Sequence, residues 1–257
     1  MSIIFTIENG VGKITLNRPE VLNSFNREMA LAFQSAMREC ISNQVVRAVL
    51  ITGSGRAFCA GQDLAEAIDP AGPPMDSIVR EHYNPIIRLI REIEKPVVCA
   101  VNGVAAGAGA NIALACDITI AAASSSFIQA FSKIGLIPDS GGTFFLPRLV
   151  GFQRATALMM LGDKVKAADA VALGMIYKVC DDENLNAESV KLAETLAMMP
   201  TRGLGLTKKA LNLSLFNNLD DQLDVEEKLQ TQAGQSYDYR EGVNAFLEKR
   251  QPIFKGE

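Results

Sequence analysis

Three stretches of this sequence bring together residue types that could share one chemistry. The first, "GRAFCAGQDL", spans Gly55 to Leu64 and follows the β-rich run "AVLITG". The second, "NGVAAGAGAN", spans Asn102 to Asn111, follows the apolar run "PVVCAV" and opens a helical pattern. Glycine allows close backbone approach and unusual φ/ψ. A helix start adds unpaired N–H groups and the positive end of the dipole. Two such N–H groups converging on one point would stabilise a negatively charged oxygen, which in acyl chemistry would be a thioester carbonyl becoming an enolate, and losing one such donor typically costs about 10²–10³ in rate. Either turn taken alone reads first as tight packing, because small-residue turns are common. "GVAAGAG" is not a dinucleotide fingerprint, since it lacks the G-x-G-x-x-G spacing and no acidic ribose partner follows.

The third stretch is "FSKIGLIPDSGGTFFLPRLVG", Phe131 to Gly151, in which Asp139 follows Pro138 and precedes "SGG". One reading makes Asp139 the cap of a helix beginning near Gly141. The other makes it a catalytic carboxylate facing a pocket lined by Phe131, Phe144 and Phe145, where apolar surroundings would raise its pKa and suit it to proton transfer. Spacing alone leaves both readings open.

The elements that must hold these stretches alternate in type. "IIFTIE" and "VGKITL", joined by "NG", predict a hairpin. "NSFNREMALAFQSAMRECI" has helical spacing, with Asn26 as N-cap. "VRAVLITG" and "PVVCAV" read as buried strands, and "ITIAAA" and "SFIQA" as further ones. Leu64 to Pro74, with "DPAGPP", reads as a mobile loop. "SIVREHYNPIIRLIREIEK" reads as an amphipathic helix kinked near Pro85. From about Gly141 the pattern is mainly helical. Strands interleaved with helices and then a helical end predict an α/β core, residues 1–200, with a C-terminal helical segment, residues 201–257.

Composition narrows the function classes. The 257 residues are nearly half hydrophobic, ample for a sizeable core. With 25 Lys and Arg against 29 Asp and Glu, the net charge of −4 argues against nonspecific nucleic-acid binding. The scattered Cys40, Cys59, Cys99, Cys116 and Cys180 read as buried reduced thiols. His82 is the only histidine, which argues against a His-dependent metal cluster. It reads as a solvated loop or helix-end residue; Tyr83 could line an acyl pocket but reads first as packing. Asp63 reads as a cap, and Asp117 and Cys59 as structural. The N-terminus does not read as a signal peptide. The long apolar stretch from Pro96 is broken by Gly, Asn and Asp, so no membrane span is expected. A cytoplasmic protein follows as the expectation.

Together, in this order and spacing, the three stretches resemble the crotonase (enoyl-CoA hydratase/isomerase) superfamily. "ITLNRPEVLNSFN" and "REGVNAFLEKRQPIFKG" match it too, so the likeness covers essentially the whole chain. The resemblance implies a spiral of ββα units with a C-terminal helical trimerisation segment. It implies oxyanion donors at the N–H groups of Gln62 and Ala108, with CoA along Gln62, Asp63, Leu64 and Ala65. Coenzyme A would enter as part of the substrate, and no other cofactor is expected. Homotrimers, or dimers of trimers, would let Phe246 and Lys249 reach the CoA of a neighbouring subunit. Arg18, Arg27, Arg56 and Lys255 are further candidates for its phosphates. The family's basic residue in "NRPxxLN" is replaced by Glu20 and Val21.

The departures bear on the reaction. Family hydratases use two glutamates, and this chain has Asn111 and Phe131 at those positions. Syn-hydration is therefore disfavoured. Members with Asp directly after the Pro of "IPD" use that Asp as the working carboxylate, which favours catalysis at Asp139. The resemblance then implies an acyl-CoA isomerase that opens a ring epoxide on an aromatic acyl group to an oxepin and shifts Δ3 double bonds to Δ2. The alternatives are a general straight-chain Δ3,Δ2-enoyl-CoA isomerase, a hydratase-like enzyme, a dehalogenase-like use of Asp139 as nucleophile, and a non-catalytic scaffold or RNA-binding subunit.

Overall fold

The computed structural model describes residues 1–257. Asn9 and Gly10 both take positive φ, 50° and 78°. That geometry matches the twist of a two-residue hairpin and closes β1 (Ile3–Glu8) on β2 (Val11–Leu16) as an antiparallel pair. Asn26 caps α1 (Arg27–Ser42) by accepting the Met29 N–H at 3.0 Å. The chain then repeats one unit: a longer strand, a short strand, then helix. The strand pairs are β3 (Ala48–Gly53) with β4 (Ala57–Cys59), β5 (Val97–Val101) with β6 (Val104–Ala106), and β7 (Ile118–Ala122) with β8 (Ser126–Ile128). Helices α2 (Leu64–Ile68), α3 (Met75–Ser77) and α4 (Asn84–Glu92) follow the first pair, and α5 (Ala108–Ala115) follows the second. After the third come a 3₁₀ segment (Ala130–Ile134), α6 (Gly142–Val150) and α7 (Phe152–Leu161).

In every pair the first strand joins one sheet and the second joins the other. The six-stranded sheet runs β1-β2-β3-β5-β7-β10 and is parallel from β2 onward. The four-stranded sheet runs β4-β6-β8-β9. Two short strands complete them, β9 (Lys164–Lys166) before α8 (Ala167–Ala172), and β10 (Lys178–Cys180) before α9 (Leu185–Met198). This is the spiral of ββα units that the family resemblance implies.

Side-chain alternation divides the core. Val49, Ile51, Val97, Cys99 and Val101 face the main core with Phe25, Phe33, Phe58 and Phe127. The intervening Ala48, Leu50, Val98 and Ala100 face α9 through Ala193 and Ala197. All five cysteines are reduced and buried.

The chain ends in α10 (Thr201–Ser214), α11 (Leu219–Gly234) and α12 (Tyr237–Glu248). Helix α10 docks through a buried cation: Lys208 Nζ donates to the Ile90 carbonyl at 2.6 Å and pairs with Asp117 at 2.8 Å. Asp117 also pairs with Arg91 at 2.9 Å and accepts the Val97 N–H, so its structural reading holds. Arg47 ties the last residues back to the core through the Phe254 carbonyl at 2.8 Å. No helix is long and apolar enough to cross a membrane.

Two local expectations are corrected. The run Leu64 to Pro74 is not all loop, because Asp63 accepts the Ala65 N–H at 3.1 Å and starts α2. The helix around Pro85 is not simply kinked. Residues Ile78–Tyr83 form a π-helical turn that runs into α4. Pro85 has no N–H for the Glu81 carbonyl four residues back. Gln34 Nε2 takes that carbonyl at 2.7 Å and the His82 carbonyl at 3.1 Å.

Candidate active site

The two glycine turns meet. A β-carbon added to Gly61 would lie 3.5 Å from the Ala108 nitrogen and 3.0 Å from the Ala106 carbonyl oxygen. At Gly61, φ is +98°, a region that favours glycine. Its carbonyl accepts the Phe25 N–H at 2.7 Å. In a trans peptide the N–H of the next residue points the opposite way, so the Gln62 N–H is turned away from that bridge. The Gly107 carbonyl likewise accepts the Asn111 N–H at 3.1 Å, and Ala108 opens α5 with its own N–H outside the helix ladder. Neither N–H donates to another group of the chain. Helix α5 comes this close because Gly109 has no side chain: a β-carbon there would lie 2.5 Å from the Cys59 carbonyl oxygen and 2.7 Å from its sulfur. Cys59 fills this contact, and burial pushes its thiol up to about 12, as an inert packing residue requires.

Asp139 does not cap α6 with its side chain. The Ser140 hydroxyl donates to its carboxylate at 2.9 Å. Its main-chain carbonyl accepts the Gly142 N–H at 2.9 Å and Asn111 Nδ2 at 2.8 Å. Burial raises the Asp139 pKa, and the Ser140 hydroxyl opposes that rise. The carboxylate is half-buried, with its loop bent by Ser140 and Gly141 at φ 51° and 73°.

The two family glutamate positions are engaged elsewhere. Asn111 is fully buried: it holds the Asp139 loop and accepts Gln129 Nε2 at 2.8 Å. Phe131 is buried with its ring against Gly107. Phe145 lies against Gly141. Phe144 departs from the expected wall: it meets Phe145 edge-on, stacks on Phe216 at 5.6 Å and carries Arg148 over its ring at 3.8 Å. Phe144 and Phe145 together line a cavity with Arg91 of α4, Lys208 of α10 and Phe216.

The residues expected to carry CoA divide into two groups. Gln62, Asp63, Leu64 and Ala65 form the rim of the first turn and the start of α2, with Leu64 and Ala65 exposed. Arg56, Lys249 and Lys255 are also exposed, and Lys255 stands over the Tyr237 ring. Arg18 is largely buried, whereas Arg27 is exposed, and each has an acidic partner. Arg18 pairs with Asp63 at 2.9 Å, and Arg27 pairs with Glu81 at 2.7 Å. Asp63 is thus both cap and ion-pair partner.

His82 corrects the solvated reading: it is fully buried, and burial holds its pKa below the usual imidazole value. Its Nε2 lies 3.2 Å from Arg27 and its Nδ1 has no partner. Tyr83 is more than packing, since its hydroxyl donates to Gln62 Oε1 at 2.8 Å. The available signal was Pro85, which breaks the helical ladder two residues after Tyr83. For Asn111 the signal was a lone amide in the apolar run "AGANIALA".

The fold fixes the class. Residues 6–257 match the family model for enoyl-CoA hydratase/isomerase, and the chain belongs to that family. Among its relatives is the 1,2-epoxyphenylacetyl-CoA isomerase of Escherichia coli (strain K12), 52% identical over 99% of this chain and 98% of the relative. The trans-2-decenoyl-[acyl-carrier-protein] isomerase of Streptococcus mutans is 37% identical over 99% of this chain and 98% of its own. The crystal structure of an enoyl-CoA hydratase from Bacillus anthracis superposes with a TM-score of 0.93 at 32% identity, covering 100% of both chains.

Proposed function

We propose that this chain isomerises acyl-CoA thioesters, with ring-1,2-epoxyphenylacetyl-CoA as its leading substrate and the oxepin thioester as product. The observation that carries the reading is one half-buried carboxylate, Asp139, with both family glutamate positions taken by Asn111 and Phe131. The thioester oxygen binds the Gln62 and Ala108 N–H groups. Asp139 removes a proton from an acyl carbon, the enolate charge collects on the held oxygen, and Asp139 returns the proton at a second carbon; on the ring epoxide the carbon–carbon bond shared by the epoxide and the six-membered ring also breaks, its electron pair joining the ring π-system as the seven-membered ring forms. One carboxylate is enough for this shuttle, whereas adding water calls for a pair to hold and activate it. Phe131 and Phe145 keep water out, which favours isomerisation over hydration. The name of the Escherichia coli relative supports the ring substrate.

No metal or redox cofactor takes part in this scheme, because coenzyme A arrives as part of the substrate. Its adenine and pantetheine lie along Gln62, Asp63, Leu64 and Ala65. In the same reading residues 201–257 form a trimerisation segment of a cytoplasmic homotrimer or dimer of trimers, bringing Phe246 and Lys249 to a neighbour's CoA. A straight-chain Δ3,Δ2-enoyl-CoA isomerase is the second reading, supported by the name of the Streptococcus mutans relative.

Asp139→Asn tests the proposal. Isomerase turnover should disappear while CoA-thioester affinity, measured by calorimetry, stays within about threefold, because binding rests on the N–H groups and the CoA rim. Undiminished turnover in that variant would remove Asp139 from the mechanism.

A further inference from the structure

Tyr83 is placed by a break in the helix ladder. Pro85 supplies no N–H to Glu81, the preceding turn widens to π form, and Gln34 secures the freed carbonyls. The Tyr83 ring then packs edge-on to Phe25 at 6.1 Å and sends its hydroxyl to Gln62. Ile87 follows four residues later on the same helix face. It lies 3.6 Å from the β-carbon that Gly141 lacks. Tyr83 therefore stands between the first glycine turn and the loop that carries Asp139, and the Asp139 charge is among those acting on its phenol.

A pocket for a plain hydrocarbon needs no hydroxyl there. Phe25 packs against the Tyr83 ring, Phe131 lies against Gly107, and Ile87 and Phe145 lie against Gly141, all apolar. A buried hydroxyl is retained only when it has a partner. Here that partner is a half-exposed side-chain amide, whose Nε2 is held by Glu66 at 3.2 Å. A phenol proton rotates about its C–O bond. It can leave Gln62 Oε1 and point to a ligand oxygen instead.

We propose that the Tyr83 hydroxyl recognises an oxygen atom on the acyl ring, on the carbon next to the side chain, so that the pocket selects oxygenated aromatic acyl-CoA thioesters over unoxygenated ones. This deepens the isomerase reading and rests on it for the location of the acyl pocket. The two backbone N–H groups hold the thioester oxygen and Tyr83 holds the second oxygen. Burial pushes the Tyr83 pKa well above that of a free phenol, so it remains a hydrogen-bond donor throughout the neutral range.

The test uses stable probes, 2-hydroxyphenylacetyl-CoA and phenylacetyl-CoA, with affinities measured by calorimetry on the wild-type protein and on Tyr83→Phe. The wild type should bind the hydroxylated thioester about tenfold more tightly, the worth of one hydrogen bond. Tyr83→Phe, which keeps the ring and its packing, should bind both probes alike, with affinity for phenylacetyl-CoA unchanged. A preference that survives in Tyr83→Phe, or that the wild type lacks, overturns the proposal. Equal loss of affinity for both probes also overturns it, by making Tyr83 a general packing residue. Failure of the isomerase reading appears separately, as absence of turnover in a wild type that still shows the binding preference.

Discussion

Asp139 and the two unpaired N–H groups divide the work by charge. The carboxylate must be ionised to act as base, and burial raises the pH at which that happens. Activity on a 3-enoyl-CoA should therefore fall, as pH is lowered, through a pKa above the ordinary aspartate value of about 3.9. Ser140→Ala removes the hydroxyl that steadies the ionised form, so it should move that acid limb higher still; a kcat/KM pH profile checks both. The same raised pKa has the opposite sign for stability. Between the unfolded and folded pKa values the folded chain binds more protons, so stability declines as pH rises through that window. Asp139 was legible as a candidate because Pro138 and the glycines after it mark a tight loop. What Asn111 does was not legible, because its partner is the Asp139 carbonyl, 28 residues further along the chain.

Helix ends and glycine contacts, rather than long elements, aim the site. Helix α5 reaches the first turn because Gly109 admits the Cys59 carbonyl, and α1 begins where Glu66 accepts the Arg27 N–H at 2.9 Å. The π turn before α4 depends on one side chain from α1. Gln34→Ala would leave the Glu81 and His82 carbonyls without that donor, in a buried position. The expected cost is about 1–3 kcal/mol, read as a lowered midpoint in denaturant unfolding. A midpoint equal to wild type would show that the turn stands without Gln34. The longer strands, the hairpin and the α1 cap were readable, since each is set by neighbours in sequence, whereas β4, β6, β9 and β10, three residues each, were too short to carry an alternating pattern. The π turn and α2 were not readable either. One depends on a distant glutamine, and the other is a single short turn inside a run rich in Pro and Gly.

At the scale of the molecule, the spiral sends alternate strands to two sheets and so brings residue 61 against residue 108. Asp139 enters from the third unit, tied to α5 through Asn111. The α/β core and helical end followed from the order of patterns, but the meeting of the turns did not. No local rule places Gly61 beside Ala108; the parallel β4-β6 pairing does, aligning Cys59 with Ala105. The resulting claim is that the pocket moves protons and adds nothing. Its most direct test is to give the purified protein a 3-enoyl-CoA and freshly made ring-1,2-epoxyphenylacetyl-CoA, and to follow the products by chromatography with mass detection. The account predicts conversion to products of unchanged mass, the 2-enoyl thioester and the oxepin. A product heavier by one water would contradict it and return the chain to the hydratases.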